Sequence, residues 1–191
     1  MSLRIMLVDE DDSRAALLTQ ALRAAGHELV QRVARHDDLS QAVERLRPDV
    51  ILLDVDAPER DVLESLQQVR DRCPRPIVMF SDDDDRETIR RAVRAGVSAY
   101  VVEDIAAARL KPILEMAIAG FNEHQALRCE LEEMRLRLAD RRDIERAKGL
   151  LMERRGLNEN QAHETLRKMA MDRKLRLGDA ARALLAAAEV L

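Results

Sequence analysis

A rhythm that starts at once and then stops is the strongest constraint on this chain. Up to about residue 105, five short apolar runs, at 3–8, 29–33, 50–53, 76–80 and 99–102, alternate with segments whose apolar residues recur every three or four positions. Several runs are almost continuously hydrophobic, as strands covered on both faces must be. Between them Ala15, Leu18, Leu22 and Ala25, then Leu39, Val43 and Leu46, trace helix faces. Gly26 and Gly96 stand just past two of these helices, where a left-handed cap belongs. Five strand–helix repeats predict an α/β fold: a doubly wound parallel sheet with right-handed crossovers and helices on both faces.

From Ala106 onward no strand pattern returns. Leu114, Ala117, Phe121, His124, Leu127, Leu131, Met134 and Leu138 are spaced by threes and fours, with Glu and Arg on most outward positions. This is the pattern of a coiled-coil seam. One helix lying against its own α/β domain would also produce it. The segment outruns any one domain face, which favours a second copy and a homodimer seam of Phe121, Leu127, Leu131, Met134 and Leu138. The last fifty residues predict three short helices. Ile144, Ala147 and Leu151 stripe the first, and Gly156 caps it. Asn158 and Gln161 have the spacing of a capping box for the second, striped by Ala162, Leu166, Met169 and Ala170. Leu177, Ala181, Leu184 and Ala188 mark the third. The expected organisation is an α/β domain at 1–107, a coiled-coil linker helix at 108–140 and a small helical domain at 141–191.

Composition excludes several classes. Cys73 and Cys129 stand far apart with no clustered His, so neither a zinc site nor a disulfide framework is expected. No apolar run is long enough to span a bilayer, and the N-terminus lacks a secretory pattern, so a cytoplasmic protein is expected. The net charge of −4 is uneven: from Asp140 onward twelve Lys/Arg face nine Asp/Glu, so the tail carries +3 and the remainder −7. A basic tail on an acidic body points to a polyanionic partner for the tail.

In an open α/β sheet, ligands gather beyond the carboxyl ends of the strands. Asp9 and Glu10 follow the first run and Asp54 the third. Converging carboxylates either sit in solvent or share a cation, and oxygen-only ligands suit Mg²⁺. An aspartate beside such a metal can take up a phosphoryl group. Ser81, at the end of the fourth run, is placed to meet its oxygens. With Leu7-Val-Asp-Glu10, Leu52-Leu-Asp54, Ser81 and Ala95-Gly-Val-Ser-Ala-Tyr100, residues 1–107 resemble the response-regulator receiver family, a flavodoxin-like five-stranded fold. The resemblance implies Asp54 as phospho-acceptor, Asp9, Glu10 and Asp54 as ligands of Mg²⁺, and Ser81 and Tyr100 as switch residues. Where that family carries a lysine after the fifth strand, this chain has Glu103. At contact distance and an effective dielectric near 20, one unit charge interacts by about 4 kcal/mol. Glu103 is therefore expected to disfavour a phosphorylated switch.

The tail segments Ile144-Glu-Arg-Ala-Lys-Gly-Leu-Leu-Met-Glu-Arg-Arg-Gly-Leu157 and Leu166-Arg-Lys-Met-Ala-Met-Asp-Arg173 resemble the ANTAR family of RNA-binding antitermination modules. The whole chain is most similar to the members that control nitrate and nitrite assimilation. The resemblance implies binding to paired leader-RNA hairpins, which prevents a terminator from forming, and sequestration by a nitrate/nitrite-sensing partner protein. No catalytic role is implied. Arg146, Lys148, Arg154, Arg155, Arg167, Lys168 and Arg173 are the expected RNA contacts. Gly149 joins them: a helix-interior glycine costs about 1 kcal/mol against alanine, and a close backbone approach would explain it. For any one of these cations taken singly, an ordinary solvated helix face is the better reading. Two other readings are a phosphorylation-switched DNA-binding regulator and a coiled-coil protein scaffold. The tail shows no evident recognition helix, which tells against DNA.

Overall fold

The computed structural model describes residues 2–34, 38–102 and 107–189, which divide into two compact units, Met1–Gln125 and Ala126–Leu191. The first unit alternates β1 (Arg4–Val8), α1 (Asp12–Ala24), β2 (Glu28–Val33), α2 (Leu39–Leu46), β3 (Val50–Asp54), α3 (Arg60–Arg72), β4 (Ile77–Ser81), α4 (Arg86–Ala95) and β5 (Ala99–Val102). All four strand pairings are parallel, in the order β2-β1-β3-β4-β5. This is the expected doubly wound receiver fold. Both faces of the sheet are covered, so the strands could not alternate polar and apolar residues. Met6, Val8, Ile51, Leu53, Ile77 and Met79 point into one core, closed by α2, α3 and α4. Ile5, Leu7, Val50, Leu52, Val78 and Phe80 point into the other, closed by α1 and by Leu110, Leu114 and Ala117. Each fully buried aliphatic side chain contributes about 1.5–3 kcal/mol to that packing. Gly26 (φ +79°) and Gly96 (φ +112°) adopt the left-handed conformation and close α1 and α4. Their following residues, His27 and Val97, donate back to the carbonyls of Leu22 and Ala92 at 2.9 and 3.1 Å.

Leu110, Leu114 and Ala117 belong to α5 (Ala107–Arg155), a helix of 49 residues that runs from the first unit into the second. Two expectations change here. The start of the supposed seam, Leu114 and Ala117, is covered by the chain's own sheet, because those residues complete the second core. The first of the three tail helices is the end of α5, because the segment Asp140-Arg-Arg-Asp143 contains no helix breaker. The second unit adds α6 (Glu159–Asp172) and α7 (Leu177–Glu189). Its core joins Ala147 and Leu151 of α5 to Ala162, Leu166 and Ala170 of α6 and Ala180 and Ala181 of α7. The capping box forms: Asn158 Oδ1 accepts from the Gln161 N–H at 2.9 Å and Gln161 Oε1 from the Asn158 N–H at 3.0 Å. Arg182 ties α7 to α5, donating to Asp140 at 2.6 Å, while a Cβ on Gly178 would collide with that same carboxylate.

Candidate functional site

The sheet register assembles the acidic site. Val8 pairs with Leu53, so the next residues, Asp9 and Asp54, leave adjacent strands side by side at the point where the strand order reverses. Asp9 is 2% exposed; its Oδ1 accepts the Asp11 N–H at 2.8 Å, while Oδ2 is buried without a hydrogen-bond partner among the described residues. Burial pushes the Asp9 carboxyl above its ordinary range, against the opposing pull of the Asp11 N–H and of Arg14 and Arg32. Burial likewise pushes Asp54 up to about 6; Arg14 opposes this, and the negative charges of Asp9, Asp56 and Asp82 reinforce it.

Arg14 was not among the residues singled out from sequence. Asp11 caps α1 by accepting the N–H groups of Ser13 and Arg14 at 2.8 and 2.9 Å, which sets Arg14 on the first turn of that helix. Its Nη1 donates to Asp56 Oδ1 at 2.6 Å and its Nε lies 3.9 Å from Asp54 Oδ2. The clue was available: Arg14 lies four residues beyond Glu10, on a helix that opens where the first strand ends.

Ser81 ends β4 beside this pair and is buried. Its hydroxyl donates to the Asp56 carbonyl at 2.9 Å and accepts the Asp83 N–H at 3.3 Å. Tyr100, on β5, packs part-buried against the first core and donates its hydroxyl to the Asp83 carbonyl at 2.7 Å. Ser81 and Tyr100 thus meet on one loop, 82–85. Glu103 lies outside the described residues. Glu10 is exposed, and among the described residues no three His, Cys, Asp or Glu side chains gather around a point that could hold a metal ion. The three-carboxylate cage expected of Asp9, Glu10 and Asp54 is therefore not assembled. What does fit a hard cation is the unpartnered Asp9 oxygen next to the Asp54 carboxyl. Two oxygen donors completed by water are a pattern that Mg²⁺ accepts.

The tail cations divide by environment. Arg146, Arg154, Arg155, Arg167, Lys168 and Arg173 are exposed. Arg167 pairs loosely with Glu164 at 3.6 Å and Arg154 donates to the Ala188 carbonyl at 3.3 Å. Among the described residues, Arg146, Arg155, Lys168 and Arg173 form no ion pair. At 100° per residue Arg146 and Arg155 fall on opposite sides of α5, so the set is not one stripe. Lys148 departs from expectation. It is only 7% exposed, and its Nζ donates to both oxygens of Glu145 at 3.0 and 3.1 Å and to Glu159 at 2.7 Å. Its side chain bridges α5 to the first turn of α6 and does not face solvent. These hydrogen bonds, the one to Glu159 foremost, hold the Lys148 ammonium above its ordinary range. Gly149 is exposed, and a Cβ there would meet nothing within 4 Å. The face it shares with Arg142 and Arg146 lies opposite Ala147 and Leu151 of the tail core. Of the seam residues, Leu127, Leu131, Met134 and Leu138 are 55, 48, 49 and 68% exposed, and Phe121 is part-buried. Among the described residues no helix is long and apolar enough to cross a membrane.

Comparison with known proteins gives the two units their kinship. The response regulator receiver domain matches residues 5–115 and the ANTAR domain residues 132–185. The transcriptional regulatory protein PdtaR of Mycobacterium tuberculosis is 32% identical over 172 residues, covering 90% of this chain and 84% of that protein. The nitrate regulatory protein of Klebsiella oxytoca is 43% identical over 84 residues, which is 44% of this chain and 21% of that protein. Among solved structures, the receiver domain of a modulated diguanylate cyclase from Desulfovibrio desulfuricans aligns with a TM-score of 0.56 at 25% identity, covering 65% of this chain and 99% of that one. The chain belongs to the response regulators that join a receiver domain to an ANTAR domain.

Proposed function

We propose that this protein is a non-enzymatic cytoplasmic antiterminator whose tail binds hairpins in leader RNA. The observation that carries the reading is the set of exposed cations that form no ion pair among the described residues, Arg146 and Arg155 on α5, Lys168 on α6 and Arg173 at its end, in a domain of the ANTAR family. A cation already paired gains little from a phosphate. An unpaired one releases condensed counterions when it binds, and that is where sequence-independent affinity comes from. With no aromatic residue in the tail, contact with splayed loop bases falls to arginine planes and to His163. Arg142, Arg146 and Gly149 form one candidate face; Arg154, Arg155, Arg167, Lys168 and Arg173 supply the rest. Lys148 serves this surface indirectly, by holding α6 against α5.

In this reading the protein is a homodimer through the exposed stripe Leu127, Leu131, Met134 and Leu138, with Phe121 at its start. Four half-exposed aliphatic side chains at coiled-coil spacing favour a second helix over solvent. Asp54 is the phospho-acceptor; Asp9 and Asp54 would hold Mg²⁺, with Glu10 near enough in sequence to order its waters, and the ion would neutralise charge on a transferring phosphoryl group. Control of nitrate and nitrite assimilation, with a nitrate-sensing protein that sequesters the regulator, is supported by the partial match to the nitrate regulatory protein. A gel-shift comparison of a two-hairpin leader RNA with duplex DNA of the same sequence tests the central reading. Retention of the RNA alone is expected. Preference for the duplex would replace it with a DNA-binding regulator, and binding of neither in dilute salt with a protein scaffold.

A further inference from the structure

We propose that Arg14 is the cation that receives a phosphoryl group on Asp54, in a chain that carries Glu103 where its family carries a lysine. The inference rests on the reading of Asp54 as phospho-acceptor and adds a residue to it. Three observations carry it. The Arg14 guanidinium is held from behind by the Nη1 bond to Asp56 at 2.6 Å, on a residue that the cap Asp11 fixes in the first turn of α1. Its Nε–H, 3.9 Å from Asp54 Oδ2, is buried and has no acceptor among the described residues. That distance is too long for a hydrogen bond, yet a group of oxygens built outward from Asp54 would shorten it. Independently, Asp9, itself 2% exposed, keeps on the adjacent strand a buried oxygen without a donor among the described residues. A buried donor suited to phosphoryl oxygens and a buried acceptor suited to the metal, both beside one carboxyl, mark a site built for an added group, because folded proteins rarely leave such atoms unpaired.

Arg32 cannot take this part. It donates to the Asp9 carbonyl at 2.9 Å and is spent on Asp12, away from Asp54. In the transfer, an Asp54 oxygen attacks the phosphorus of a donor such as a phosphohistidine or acetyl phosphate. The bond from phosphorus to the donor nitrogen or oxygen breaks, its electron pair leaves with the imidazole or acetate, and an acyl phosphate remains on Asp54. Arg14 then donates from Nε to the new oxygens and offsets their charge, while Asp56 keeps the guanidinium turned inward. Charge-assisted hydrogen bonds of this kind are among the stronger ones a protein can offer a phosphate.

The test uses the full chain as wild type, Arg14→Met, Arg14→Lys and Asp54→Asn, with acetyl phosphate and Mg²⁺. Phosphoryl incorporation is followed by intact mass from about pH 6 to 9, and circular dichroism shows that each variant is folded. After labelling, the metal is removed with EDTA and loss of the phosphoryl group is timed. Arg14→Met is expected to label about tenfold more slowly across the whole pH range and to lose its label faster in EDTA, with Arg14→Lys between it and wild type. Equal labelling and equal loss in wild type and Arg14→Met would overturn the assignment. So would a deficit that vanishes at high pH, because Arg14 would then act only by keeping Asp54 ionised. A folded wild type that takes no label fails differently: it removes the phospho-acceptor reading itself, and the role of Arg14 with it.

Discussion

Replacing Gly149 by alanine should make the protein locally more stable and functionally worse. The site is the interior of α5, exposed, with no atom outside the local helix backbone within 4 Å of the position an alanine Cβ would take. Nothing in the folded chain therefore opposes the methyl group, and the substitution should recover the ordinary helix preference of alanine, about 1 kcal/mol. Local opening of the helix would then become about fivefold rarer, which native-state hydrogen exchange of the amides flanking residue 149 reads directly. If RNA comes close to the bare Cα, the same methyl group blocks it. Affinity for a two-hairpin leader should fall by about tenfold, equivalent to about 1.4 kcal/mol. The two readouts must move in opposite directions. Slower exchange with unchanged RNA affinity would refute the close approach. Unchanged exchange would refute the claim that the folded chain has no use for this glycine.

The other predictions are shorter. Because Lys148 is spent on Glu145 and Glu159, Lys148→Met should weaken RNA binding without changing the slope of log Kd against log salt, and the paired swap Lys148→Glu with Glu159→Lys should recover binding. Arg146→Ala should instead flatten that slope by about 0.7–0.9, the contribution of one phosphate contact; a flatter slope in Lys148→Met would show that its ammonium reaches RNA. Folding raises the Asp54 carboxyl to about 6, so the cost of ionising it is present above that pH and disappears as pH falls towards the unfolded value near 4. In chelator, Asp54→Asn should therefore stabilise the protein at pH 7.5 by an amount on the order of 1–3 kcal/mol, with the gain shrinking towards pH 4 in denaturant melts; a gain independent of pH would assign it to something other than this carboxyl. Leu131→Lys with Leu138→Lys should yield monomers by light scattering, and persistent dimers would reject the seam.

The strands could be read from the sequence because most lie under helices on both sides and so show nearly unbroken apolar runs; the edge strand β2, with Gln31 and Arg32, is the exception. The caps were readable for a similar reason: Gly26, Gly96 and the Asn158–Gln161 pair act over a few residues, and local spacing expresses local bonds. Asp9, Asp54 and Ser81 followed from the strand ends alone. What escaped depends on contacts between segments distant in sequence. A stripe such as Leu114 to Leu138 shows that a helix face is apolar, not what covers it, and here the sheet covers the first part only. Lys148 looks like any surface cation until α6 brings Glu159 to it from eleven positions away. The position of Arg14 at the opening of α1 was legible, but its partners Asp54 and Asp56 come from β3 and the loop after it, and only the fold brings them to it.

Tyr100 gives the molecule a built-in gauge. The chain has no tryptophan and this single phenol, whose hydroxyl is bonded to the loop that also holds Ser81. Near-ultraviolet dichroism and intrinsic emission therefore come chiefly from one ring in the first unit. The carboxy-terminal helices are optically silent at those wavelengths, so what happens around residue 100 can be followed without labels while the other half is free to do something else.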